Sequence, residues 1–265
     1  MKDISNFLAI SLLILFVSIP GQARVFNFSS ESIGAYFNAT GQSSLLDRDP
    51  FVNSSGANTQ FSNNGFEYHP GFELGVVSIL SKGFTITTSL QILKSDLYPR
   101  NFVGFDSGGT KLLDVTSSVF ALNPKISFEF DMSNKGTTRS YMHFGVGYAD
   151  ITIDQAYTLT AAGQSTYSFS ASEYVEKLRT YGLSYTVGLG YEFLAIDNVT
   201  LNLEAGYRVL PLADLTYKAA YSELLTQPGS AQAGDSALDN NGKKRSMEFG
   251  GGYIGVGFRF YINTL

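Results

Sequence analysis

Between Tyr181 and Phe193 the chain alternates strictly. Tyr181, Leu183, Tyr185, Val187, Leu189, Tyr191 and Phe193 take the odd positions; Gly182, Ser184, Thr186, Gly188, Gly190 and Glu192 take the even ones. A period of two marks a strand with one apolar and one polar face. A soluble sheet turns Lys, Glu and Thr to water and avoids Gly, which weakens a strand. Here the polar face is mostly Gly, Ser and Thr, as suits a crowded, narrow interior. The ten steps from Tyr181 to Tyr191, at about 3.3 Å each and tilted near 40°, cover roughly 25 Å along a membrane normal. That is the height of the apolar band on a transmembrane barrel, and Tyr181, Tyr185, Tyr191 and Phe193 are read as its aromatic girdle. The bulky face therefore points to lipid.

The pattern recurs. Outward rows are read at Phe72-Leu74-Val76, Phe84-Ile86-Thr88-Leu90-Ile92 and Phe120-Leu122-Ile126-Phe128-Phe130. Others lie at Met142-Phe144-Val146-Tyr148, Val199-Leu201-Leu203-Ala205-Tyr207 and Ile254-Val256-Phe258-Phe260-Ile262. A weaker first strand runs near Ser32 to Ala39. Pro124 cannot donate to a ladder, so a bulge or distortion is expected there. The count is eight, an even number that closes an antiparallel sheet without an edge; ten is the alternative, because a long link can hide a hairpin. Short links fall at Ser81–Gly83, Met132–Thr138 and Ala195–Asn198. Long ones fall at about 41–65, 95–114, 151–178 and 213–246. Ile151-Thr-Ile153 and Thr166–Ser170 are strand-like, which predicts a hairpin protruding around a turn at Thr160–Gln164. Tyr217–Leu225 suits strand or helix, and Pro228–Arg245, rich in small and polar residues, reads as mobile.

Residues 1–23 read as a cleavable signal peptide. Lys2 starts it, Phe7 to Ile19 is apolar, and Pro20-Gly21-Gln22-Ala23 closes it with small residues. The apolar stretch is shorter than the roughly 20 residues a spanning helix needs, although an uncleaved anchor is the alternative. Residues 24–265 then form one barrel domain with four long extracellular loops. Only 15% of residues are charged, against roughly 25% in ordinary soluble domains. A net charge of −5 argues against nucleic acid, and the lack of cysteine removes disulfides, thiolate metal sites and Cys nucleophiles.

With these strands in place the chain resembles the small eight-stranded bacterial outer-membrane proteins, such as the OmpA transmembrane domain, OmpX and OmpW. Tyr253-x-Gly255-x-x-Phe258-x-Phe260 is similar to the last-strand signal that the barrel assembly machinery reads in them. The chain departs from that pattern by running on through Tyr261–Leu265 instead of ending on an aromatic residue. The resemblance implies an all-β, antiparallel up-and-down barrel in the bacterial outer membrane, with both termini periplasmic. It implies outer-membrane lipids and the assembly machinery as partners.

The register turns Glu73, Lys125, Glu129, Glu192, Glu204, Arg208 and Arg259 into the lumen, with His69 and His143. An eight-stranded barrel encloses little beyond its own side chains, and an unpaired buried charge is costly. An ionic network that plugs the lumen is expected; a narrow pore for small or hydrophobic solutes is the alternative. A lipid-modifying enzyme is a third reading. It needs a Ser or Asp beside a His near the membrane surface, and Glu67 near His69 is too common a combination to mark such a site. No catalytic residue, cofactor or metal site is assigned. Gly108-Gly109 and Gly250–Gly252 lack the Lys or helix of a phosphate loop, and Asp47, Asp49, Asp235 and Asp239 read as solvated rather than calcium-binding. The expectation is a monomeric, non-enzymatic barrel that presents loops for envelope integrity or contact with a surface ligand.

Overall fold

The computed structural model describes residues 26–28, 32–44, 60–63, 67–95, 100–225, 229–238 and 242–262. The proposed signal peptide lies outside them. Eight strands form the barrel: β1 (Ile33–Ser44), β2 (Glu67–Ser81), β3 (Phe84–Lys94), β4 (Lys111–Asn134), β5 (Thr138–Leu159), β6 (Glu173–Ile196), β7 (Val199–Val209) and β8 (Gly251–Ile262). Each pairs antiparallel with its sequence neighbours. The last meets the first, Ile33 opposite Ile262 and Gln42 opposite Tyr253, so the ring of eight closes.

Closure is possible because every strand offers one face to each side. Leu183, Val187 and Leu189 are exposed on the outside by 48%, 44% and 55%, whereas Ser184, Thr186 and Glu192 are buried inside. Bulky Phe72, Leu74, Ile126, Phe144, Val256 and Phe258 continue the exposed band. Inward glycines make room for the side chains of the strands beside them. A Cβ on Gly147 would stand 2.6 Å from Ser184 Oγ, and one on Gly206 would stand 2.9 Å from Tyr253 Oη. Pro124 leaves its mark without shifting the register: the β4–β5 ladder passes from Leu122–Asp150 to Lys125–Gly147 and skips the two residues between. Within the ring the irregularities fall instead near the short turns, at Ile79/Ser81, Asp131/Ser133 and Leu194/Ile196.

β4, β5 and β6 run to 24, 22 and 24 residues, well beyond one bilayer crossing. Their chemistry inverts at a common height. Outside, Phe120, Tyr148 and Tyr181 give way to Ser118, Asp150 and Arg179; inside, the polar row gives way to Val119, Ile151 and Leu178. Below that line the barrel is greasy outside and polar inside; above it the outer face turns largely polar and apolar residues enter the interior. The protruding hairpin is present, but the reading of Thr166–Ser170 as strand is corrected. Ala161–Tyr167 form a short helix, α1. Thr160 starts it by accepting a hydrogen bond from Gly163 N–H at 3.1 Å while donating to the Leu112 carbonyl. A local cap of this kind overrides a weak alternation.

The link before β4 hides a strand, Arg100–Phe105, which pairs with β4 and with Gln60–Asn63. It widens the protruding wall and leaves the ring at eight. The link between β7 and β8 differs most from its reading as mobile. Among its described residues, Thr216–Tyr217 pair with β6, Tyr221 bridges to Ala231, and Leu215, Tyr217, Leu224, Ala231, Ala237 and Arg245 are buried. The small residues permit tight packing there rather than freedom.

Candidate functional site

The lumen is filled in tiers from the short-turn end upward. Phe26 and Phe28 cross the opening and pack edge-on at 4.9 Å, against the ring of Tyr261. Phe28 N–H donates to the Gly136 carbonyl at 3.0 Å, which fixes the segment in place. Arg139 stands over Phe28, its guanidinium 5.3 Å from the ring.

Arg139 is the hub of the next tier. It reaches Glu192 at 2.7 Å, Glu129 at 2.8 Å and Asp131 at 3.1 Å. Arg259 reaches Glu129 at 2.7 Å, Glu192 at 3.3 Å and Glu204 at 3.5 Å. Tyr261 and Thr200 donate to Glu192, and Tyr141 Oη lies 2.8 Å from Glu204. Both guanidiniums lie over the Tyr141 ring. Planar five-donor forks suit this geometry, because one Arg can satisfy several carboxylates at once.

A second ion pair stands above. Lys125 Nζ meets Glu73 at 2.8 Å, and Tyr36, Ser89 and Gln91 also donate to Glu73. Asn123 links Gln91 to Ser184. His143 pairs with Tyr253 at 2.6 Å, and Arg208 donates to Gln42 while lying over the Tyr253 ring. A small polar cavity remains between Glu73, Lys125, Glu129, His143, Glu204 and Arg259, with room for about one water.

Above the polar tiers the interior turns apolar. Leu93, Ala121, Ile151 and Leu178 from the wall enclose Leu210, Leu212, Leu215, Tyr217 and Phe249 from the link. Higher still, Arg245 of the link meets Glu176 of β6 at 2.6 Å, both side chains 0% exposed. Burial works against the Arg245 charge, but the Glu176 carboxylate outweighs it and holds the guanidinium's pKa above its usual value. Leu112, Val115, Tyr157 and Phe169 close the top.

All seven charged residues read into the lumen face it. Glu73 and Lys125 form one cluster; Glu129, Glu192, Glu204 and Arg259 form the other; Arg208 stands apart from both. Arg139, Asp131, Tyr36 and Tyr141 were not assigned to the network by sequence. The inward row of His143 carried two and four residues back reaches Tyr141 and Arg139, and that of Glu129 carried forward reaches Asp131; the signal was present in the phase. Of the terminal motif, Tyr253 and Gly255 are buried inside and Phe258 is exposed outside, as alternation requires; Phe260 shares the outer row. Tyr181, Tyr185 and Tyr191 are exposed on the outer surface and Phe193 is half-buried beside Tyr191. Tyr181 stacks on Tyr148 at 6.0 Å below the Arg179–Asp150 pair, at the height where the chemistry inverts. Tyr185 sits within the band rather than at its edge.

His69 is buried against the ring of Phe249. Among the described residues no three His, Asp or Glu side chains are placed to hold a metal. Asp235 receives the Gln232 N–H in an exposed turn; Asp47, Asp49 and Asp239 lie outside the described residues.

No family model matches the chain, and no curated sequence is significantly similar. Solved structures similar to it include the outer membrane protein OprG from Pseudomonas aeruginosa, at 14% identity, covering 91% of this chain and 100% of that one with a TM-score of 0.41. Ail, the attachment invasion locus protein of Yersinia pestis, matches at 13% identity over 87% and 99%, TM-score 0.37. The outer membrane protease OmpT from Escherichia coli matches at 9% identity over 91% and 99%, TM-score 0.42. The architecture given above rests on the strand pairing and not on these similarities.

Proposed function

We propose that this protein is a non-enzymatic, integral outer-membrane barrel that presents its protruding β4–β6 wall and folded link at the cell surface, its lumen closed to diffusion. The observation that carries the reading is the tiered lumen. Solutes would have to break the Arg139–Arg259 network, the Lys125–Glu73 pair and the apolar cap in turn. Each tier excludes bulk water, and an eight-stranded ring has no spare width to pass around them. The short-turn end is assigned to the periplasm and the long-link end to the exterior, as is usual for such barrels. Both termini are then periplasmic and the signal peptide is removed on export. One closed ring needs no partner to satisfy its backbone, so the monomer suffices; lipids contact the outer band, and the last strand is offered to the assembly machinery. Surface loops on a rigid scaffold are a common seat of recognition, in keeping with a role in surface contact or envelope integrity.

The test is a planar-bilayer recording of the purified, refolded chain beside binding of intact cells to candidate surfaces. Silence in the bilayer, with binding that disappears when residues 160–172 are replaced by a short turn, supports the proposal. Steady conductance above about a few tens of picosiemens turns the reading to a narrow channel.

A further inference from the structure

We infer that the upper lumen holds a small monovalent anion against Arg208. Among the described residues four cations line the membrane-spanning interior, and three of them sit on carboxylates: Lys125 on Glu73, Arg139 on Glu129, Asp131 and Glu192, Arg259 on Glu129 and Glu192. Arg208 is as deeply buried, at 1% exposure, yet among the described residues it reaches no carboxylate. It donates through Nη1 to the neutral carbonyl of Gln42 and lies 5.4 Å from the centre of the Tyr253 ring. An uncompensated charge in a low-dielectric interior is costly, and the rest of this lumen shows how consistently it is matched.

The groups around Arg208 offer donors. Arg208 Nε, Gln42 Nε2 and Thr186 Oγ1 are all buried without a hydrogen-bond partner. Thr186 is the direct cross-strand neighbour of Arg208, and both face inward, so their side chains start about 5 Å apart. Gly251 stands opposite Arg208 on the other flank and has no side chain to intrude. Gln42 completes the group from β1 through its bond to the guanidinium. The result is one positive charge and an amide N–H pair beneath the apolar layer that Phe249 joins, with the Thr186 hydroxyl on the neighbouring strand. That donor set takes an anion. An eight-stranded ring encloses little beyond its own side chains, which favours a monatomic ion of halide size over phosphate or sulfate.

The experiment uses the unmodified chain refolded and crystallised in sodium bromide, read by anomalous scattering at the bromine edge. The expected result is a peak about 3.3 Å from the Arg208 guanidinium and the Gln42 amide. A water or a protein carboxylate in that place overturns the inference. A second readout compares unfolding midpoints on unboiled gels, in bromide and in gluconate at equal ionic strength. The native chain should gain a few degrees in bromide, and Arg208→Met, which keeps the stem and deletes the charge, should show no difference between the two salts. Equal behaviour of the native chain in both salts, or the same bromide effect in Arg208→Met, overturns it as well.

Discussion

Arg139→Met tests whether the lower network holds the barrel together or merely fills it. The substitution keeps a long apolar stem over Phe28 and removes a guanidinium that three carboxylates share at 2.7, 2.8 and 3.1 Å. At an effective dielectric near 20, each contact of about 2.8 Å is worth roughly 6 kcal/mol of Coulomb attraction, most of it spent against desolvation of the ions. What remains visible is the cost of abandoning buried partners, about 3–5 kcal/mol for one broken pair. Arg139 serves three carboxylates and Arg259 alone cannot replace it, so the upper end of that range is expected. The assay is equilibrium urea unfolding of the chain in lipid vesicles, followed by tyrosine fluorescence and by mobility on unboiled gels. The double variant with Glu129→Gln, which removes one of the abandoned charges, should recover part of the loss. A cost below about 1 kcal/mol for Arg139→Met, or no recovery in the double variant, would refute the reasoning and leave the network as solvated filler.

The upper latch should behave differently, because it lies in the folded link rather than in the ring. Glu176→Ala, which strands a fully buried Arg245, should cost about 3–5 kcal/mol locally and open the link around residues 229–245 to protease while the ring stays intact on gels. Leu189→Arg places a charge on the lipid face and should cost about 2–4 kcal/mol in vesicle unfolding, with little change for a polar residue at the same site if that face were wet. Asp150→Asn should cost at most about 1 kcal/mol, since both partners of the Arg179 pair are partly exposed, at 43% and 40%. The hydrogen bond from Arg179 holds the Asp150 carboxyl below its usual pKa. Its contribution is therefore complete above the unfolded value near 3.9 and fades as pH falls through the lower folded one. The native and variant unfolding curves should differ at pH 7 and converge in strong acid.

Alternation alone made the ring legible, because a strand that faces lipid on one side and a lumen on the other cannot hide its period. Glu129, Glu192 and Arg259 could be turned into the lumen from phase alone. Arg139 and Asp131 escaped only because the segments were trimmed where their apolar rows ended, one turn of the pleat too soon. The outer half was harder to read for a physical reason. In β5 the phase never breaks between Tyr148 and Ile153, but the greasy side does: Ile151 and Ile153 keep the inward parity of His143 and Gly147. Sequence shows the alternation and not the change of solvent that reverses its meaning. The link before β8 was misread because Ala231 and Ala237 look like loop filler until Leu215 and Tyr217 give them a core to pack on.

The orientation of the side chains is tested most directly by the chain's own lack of tryptophan. Single variants Val187→Trp and Thr186→Trp, refolded into vesicles whose acyl chains carry bromine, place one fluorophore on each face of β6 at one depth. The account predicts strong quenching and blue-shifted emission for Trp in place of Val187, and little bromine quenching for Trp in place of Thr186. Equal quenching of the two, or quenching of the Thr186 variant alone, would contradict it.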